Sequence, residues 1–299
     1  MDRVTRIHLK TSGESRADLI DFCLHSPEQC LAIGWSGAHE IGCEINSYED
    51  YYYAVKKAFN KNRTHPVHNV LWYVKKDDLF WTRDLDGMYW ICRATDKAQP
   101  KFIKEMDIGA IVPVEAYKYG LEVPGQIKAS FNRPRGGTCE KLHDEIITEF
   151  SKKVYNQLSG TSTYSVKKMN NNILDNLPDF ELEELVISYI QLNEGYYLLS
   201  NSIANKSTTI KIECEFIHRN KEELKKAVVQ VKGGKNKKLD ALDYKVYADA
   251  GYIVYLFAPE VINQEKLSNC IVISNTELLA FYENYKAILP GTIVKWEEI

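Results

Sequence analysis

AVVQVKGGKNKKLDALDY, residues 227–244, decides how the second half of the chain is read. Ala227, Val228, Val229 and Val231 form a β-rich apolar run of the kind that sits inside a sheet. Gln230 and Lys232 interrupt it at alternate positions, and strand alternation puts both on one face. Two glycines and a lysine-rich loop follow. A strand with an amide and an ammonium on the same face either frays into solvent or holds those groups for chemistry. The segments before it bear on which.

TTIKIECEFI (208–217) reads as a strand, with Ile210, Ile212, Cys214 and Phe216 on one face. Lys211, Glu213 and Glu215 fall on the other. A polar turn, HRNKEELKK (218–226), then leads back into the valine run. The two strands are expected as antiparallel neighbours that present a carboxylate, an amide and an ammonium on one surface. The helix DFELEELVISYIQLNEG (179–195) buries Leu182, Leu185, Val186 and Tyr189. At 100° per residue Glu184 points away from that face, and Glu183 lies on its shoulder. Such a set suits metal-assisted phosphodiester hydrolysis. A hard cation takes oxygen ligands and keeps several waters. It activates a water and neutralises phosphate charge, while a lysine stabilises the anion.

An acid, a turn and then QVK resembles the PD-(D/E)XK nuclease superfamily, over about residues 175–299. That resemblance implies a C-terminal α/β mixed sheet flanked by helices, with Mg²⁺ or Mn²⁺ as cofactor. It implies Glu215 as the metal-binding acid, Gln230 in the variable acidic slot, Lys232 as the catalytic lysine and Glu183 as the helix acid. No Pro-Asp pair precedes the first acid, so the choice between Glu213 and Glu215 stays open. KGGKNKK (232–238) lacks the spacing of a phosphate-binding Walker loop. Lys235, Lys237 and Lys238 read instead as contacts to a DNA backbone, or as an ordinary solvated loop.

The first half begins with mixed signals. SRADLIDFCLHS (15–26) and SYEDYYYAVKKAFNK (47–61) have helical spacing, and CLAIGWSG (30–37) is a short strand ending in a turn. From 69 to 131 the runs NVLWYV, DDLFWTRD, MYWICRAT, AIVPVEAYKYG and VPGQIKASFN read as short strands, implying a small barrel or a strongly curved sheet. KLHDEIITEFSKKVYNQLSG (141–160) is helical and ends on Gly. The polar TSTYSVKKMNNN (161–172) is the best linker. The expected organisation is therefore α+β in two domains, 1–158 and 175–299, joined by 159–174. TIVKWEE (292–298) reads as a closing strand.

DDLFWTRDLDGMYWICRA (77–94), with AIGWS and EVPGQIKASF, resembles the PUA/EVE-like family of small β-barrels over about 25–135. That likeness implies an N-terminal barrel with flanking helices that reads a modified base or binds RNA. A domain inspecting a flipped base needs an aromatic pocket with a few polar groups. Trp35, Ser36, Trp81, Tyr89 and Trp90 supply the materials, Trp35 first among them because it sits between glycines in a turn. Each ring is weighed against an ordinary place in the core. Cys23, His25, Cys30, His39 and Cys43 lack a CxxC pair, which argues against zinc.

The whole chain sets the remaining bounds. With 299 residues it can fill two cores. Its net charge of −3 confines any nucleic-acid contact to a local basic surface. Seven scattered cysteines and no apolar signal segment lead to the expectation of a reduced, cytoplasmic protein without a membrane span. Combined, the two resemblances imply a modification-dependent, type IV-like restriction endonuclease of phage defence. It would cut double-stranded modified DNA, as a homodimer if both strands are cut together. The alternatives are a nuclease switched by RNA or a signalling nucleotide, and a non-catalytic nucleic-acid-binding protein.

Overall fold

In the computed structural model, residues 4–59, 66–133, 136–168, 172–203, 212–222, 224–234 and 236–298 are described. They fall into two units, Met1–Lys167 and Lys168–Ile299. The fold is mixed α+β, and no helix among the described residues is long and apolar enough to cross a membrane.

The first unit comprises β1 (Val4–Ile7), α1 (Arg16–Leu24), β2 (Cys30–Ile33), α2 (Tyr48–Ala58), α3 (Pro66–Trp72), β3 (Leu79–Arg83), β4 (Tyr89–Ala94), β5 (Gln99–Ile103), β6 (Ile108–Gly120), α4 (Gly125–Asn132), β7 (Cys139–Lys141) and α5 (Glu145–Ser159). Its strands form one curled half-barrel in the order β2-β6-β4-β3-β1-β7, with β5 also on β6. β6 carries the curl: its first half pairs with β2 and β5 and its second half with β4. A register shift between Tyr89 and Trp90 adds local twist. Caps written in the sequence start the helices. Ser15 caps α1, Ser47 and Asp50 form a capping box on α2, and Asp144 caps α5.

Two segments read as strands are helices. NVLWYV belongs to α3, which opens on Pro66 and buries Val67 and Leu71, four residues apart. VPGQIKASFN forms α4, which buries Ile127 and Phe131 at the same interval. Both are rich in β-branched and aromatic residues, and the helical spacing of the buried positions outweighs that bias. The segment expected as a linker is tied down at its start. Tyr164 is buried and donates its hydroxyl to the Asp77 carbonyl at 2.7 Å, and the Lys167 amide bonds Glu149 at 2.8 Å.

The second unit contains α6 (Asp179–Leu192), β8 (Tyr196–Leu199), β9 (Cys214–His218), β10 (Lys226–Val231), β11 (Lys238–Asp240), α7 (Lys245–Asp249), β12 (Ile253–Phe257), β13 (Glu260–Ile262), β14 (Cys270–Val272), α8 (Asn275–Tyr285) and α9 (Gly291–Val294). The sheet order is β14-β12-β10-β9-β8. β8, β9 and β10 run antiparallel, and β12 and β14 then continue parallel to β10. Residues 208–211 of the expected strand lie outside the described residues. The closing segment read as a strand is α9 followed by a 3-10 turn, which bury Ile293 and Trp296 three residues apart. α6 packs on β10 and α8, while Val228, Leu239, Tyr244, Val254 and Leu256 form an apolar cluster with the α7 segment.

Candidate functional site

The β9–β10 ladder sets the geometry of the second unit's candidate site. Cys214 stands opposite Val229 and Glu215 opposite Val228, and the Glu213 amide donates to the Val229 carbonyl at 2.9 Å. Glu213 is thereby set beside Gln230. The Gln230 Nε2 donates to Glu213 Oε1 at 2.6 Å and to the Val231 carbonyl at 3.1 Å. Two acceptors on one side fix which end of the amide carries nitrogen. Gln230 is only 2% exposed, and its Oε1 is buried with no hydrogen-bond partner among the described residues. Such an orphan costs about 1–3 kcal/mol.

Lys232 continues the strand end, its amide donating to the Phe257 carbonyl at 2.8 Å. The next residue faces α6: a Cβ on Gly233 would stand 2.8 Å from Asp179 Oδ1 and 3.0 Å from Leu182 Cδ2, so a larger residue would push those side chains aside. Alternation then puts the half-buried Lys232 on the face of Gln230. Among the described residues its ammonium has no carboxylate within 4.0 Å.

Glu215 lies two residues further from this end than Glu213, and its amide is held by Ser202 Oγ at 2.8 Å. Each acid is felt by a different phenol. Tyr244 is pushed up to about 12 by burial, with the Asp243 and Glu213 charges adding. Tyr247 is raised by burial and by Glu215. The resemblance placed Glu215 in the metal position; the geometry brings Glu213, not Glu215, to Gln230. Glu183 is half buried on α6. Burial raises the Cys214 thiol, and the charges of Glu213, Glu184, Glu183 and Glu215 add to it. They do not converge further. Among the described residues no three His, Cys, Asp or Glu side chains form a group that could hold a metal ion.

This donor set does not make an all-protein cage. Mg²⁺ and Mn²⁺ take only one or two protein oxygens and keep their waters. Glu213 offers the carboxylate and Gln230 an amide oxygen lacking any other partner among the described residues. Of the loop lysines, Lys237 pairs with Asp179 at 3.2 Å and Lys238 with Glu260 at 2.8 Å. Both pairs are exposed and cheap to open. Lys235 lies outside the described residues.

In the first unit a cavity of ≈ 850 Å³ is lined by Trp35, Ser36, Phe59, Thr11, Lys104 and Asp107, among others. Trp35 has a φ of 69°, a left-handed conformation that costs a tryptophan energy. It packs against His68 with ring centroids 4.6 Å apart. The Asp107 carboxylate accepts from the Ser36 amide and hydroxyl, both at 2.9 Å, and from the Ser12 amide at 3.1 Å. One acid thereby fastens two cavity loops. A Cβ on Gly34 would meet Asp107 Oδ2 at 2.8 Å, so a larger residue there would displace the carboxylate that fastens the loops.

Trp81, Tyr89 and Trp90 do not line this cavity. Trp81 is fully buried and donates to Ser151 Oγ at 2.9 Å. Trp90 donates to Asp84 Oδ2 at 2.9 Å, and Tyr89 packs edge-on to Phe131. Trp90 belongs to the main apolar cluster, whereas alternation along β3 and β4 buries Trp81 and Tyr89 on the other face of the sheet. Sequence reasoning missed Phe59 and Asp107. Asp107 sits in a turn with a positive φ, where only its partners reveal a role. Cys23 and Cys30 are buried in the apolar core. Compared with protein-family models, curated proteins and solved structures, the chain matches none.

Proposed function

We propose that the chain is a metal-dependent DNA endonuclease directed by a modified base held in the first unit's cavity. The observation that carries the reading is the Gln230–Glu213 hydrogen bond at 2.6 Å beside Lys232, at one end of the β9–β10 ladder. The order of elements supports it: a helix, three antiparallel strands, a helix and a parallel strand agree with the nuclease likeness noted in the sequence. Glu213 and the Gln230 amide oxygen would hold Mg²⁺ or Mn²⁺. When bound, that ion supplies water activation and relief of phosphate charge. Gln230 orients the Glu213 carboxylate through its amide N–H. Lys232, with no carboxylate within 4.0 Å among the described residues, offers a cation to the anionic phosphate.

In the first unit, Trp35 and Phe59 give apolar walls, and Ser36 and Thr11 give polar groups for the edge of a flipped base. The test is incubation with Mg²⁺ and matched modified and unmodified DNA. Preferential cutting of modified DNA, abolished in Lys232→Ala, is the expected result. Cutting that survives Lys232→Ala would remove the lysine, and equal cutting of both DNAs would remove the base reader. Cutting only with RNA or a nucleotide added would make the cavity a switch. Binding without cutting would make the chain a non-catalytic binder.

A further inference from the structure

One patch of the first unit adjoins the cavity and shares only Lys10 with it. His8 follows β1, half buried, with its ring edge-on to Phe131 at 5.1 Å. Arg83, the last residue of β3, lies over the same ring at 5.5 Å and bonds the neutral Asn132 side chain at 3.1 Å. β1 and β3 are parallel with Arg6 opposite Trp81, so His8 and Arg83 each lie two residues beyond that pair. Arg16 opens α1, and its Nε donates to the Leu9 carbonyl at 3.2 Å, between His8 and Lys10 in the chain. Lys10 is exposed and also lines the cavity.

These charges differ from that of Arg6, which Glu140 meets at 2.8 Å. Among the described residues Lys10, Arg16 and Arg83 have no carboxylate within 4.0 Å. Gathering like charges without a counter-charge is unfavourable until an anion arrives. The imidazole senses the cluster: burial first, then Arg6, Arg83, Arg16 and Lys10, lower His8 to about 4. The patch adjoins the cavity through Lys10, so an anion held there stands next to whatever the cavity takes.

We propose that Lys10, Arg16 and Arg83 form a phosphate site that grips the DNA backbone beside the base taken into the cavity. This deepens the base-reading proposal and rests on it. Phosphate contacts position a nucleic acid without reading its sequence, and arginine suits them through its paired donors. The site should therefore raise affinity for modified and unmodified DNA alike.

The experiment uses the full chain and labelled DNA duplexes, modified and unmodified, without divalent metal. Affinity is measured against salt concentration for the wild type, Arg83→Gln and the exposed Lys10→Gln. Each substitution is expected to lower the salt slope by about 1 and to weaken both duplexes equally. In parallel, NMR of the His8 ring should show its pKa rising by about one unit on adding duplex, because a bound anion offsets the cations. Unchanged slopes with an unmoved His8 would overturn the site. An equal His8 shift with inorganic phosphate at the same concentration would assign it to free phosphate, and tighter binding of duplex RNA would remove the DNA assignment. Loss of discrimination in Arg83→Gln would make it a base reader instead. If the wild type does not discriminate but the slopes still fall, the base-reading proposal fails and the phosphate site stands.

Discussion

At the scale of single residues, the register of one ladder decides between two acids. Glu213 accepts from Gln230 at 2.6 Å, whereas Glu215 stands opposite the apolar Val228. Glu213→Gln is therefore expected to lower Mg²⁺-dependent DNA cleavage by about 100-fold or more, and Glu215→Gln to leave most of it. Initial rates for the two purified variants check this; the reverse order would return the role to Glu215. Both acids were visible in the sequence, two residues apart on one face. What chose between them is the pairing with Val228 and Val229, which depends on how the turn between the strands closes. The aromatic residues show the same limit. Trp35 was legible because glycines flank it, whereas Trp81 and Trp90 carry the same chemistry but turn inward to Ser151 and Asp84.

At the scale of elements, the contact between α6 and the end of β10 holds the candidate site in shape. Gly233 lets the strand end pass Asp179 and Leu182, which a Cβ would meet at 2.8 and 3.0 Å. Gly233→Ala is expected to cost about 1–3 kcal/mol through overpacking, read as a lower urea midpoint with an unchanged slope. An unshifted midpoint would show that the helix yields without cost. Most of the helices that the sequence announced carry caps, such as Ser47 with Asp50 and Asp144 ahead of α5, whereas α6 starts after Pro178 on its apolar spacing alone. α3 and α4 were read as strands because they are short and rich in β-branched and aromatic residues. Their identity rests on burying Val67 with Leu71 and Ile127 with Phe131.

At the scale of the whole molecule, the chain divides at Lys167–Lys168, inside the segment that composition marked as polar. Up to Lys167 that segment is held by the first unit, through Tyr164 and the Glu149 carboxylate. Limited trypsin digestion of the folded chain is expected to cut first at Lys168, ahead of sites within α5 or β10. Fragments beginning near residue 169, identified by mass spectrometry, would bear this out. Early cuts inside either unit would contradict it.

The sequence by itself determined the α+β character, most capped helices, the face shared by Gln230 and Lys232, and the place of Trp35 in a turn. Each follows from local periodicity, capping or glycine spacing, which act within a few residues. Only the tertiary structure decided that Glu213 meets Gln230, that Asp107 fastens the cavity loops, and that Lys10, Arg16 and Arg83 gather around His8. Glu213 and Gln230, Asp107 and Ser36, and Arg83 and His8 are well separated in the chain. Strand register and chain crossing bring them together, and no local preference encodes either.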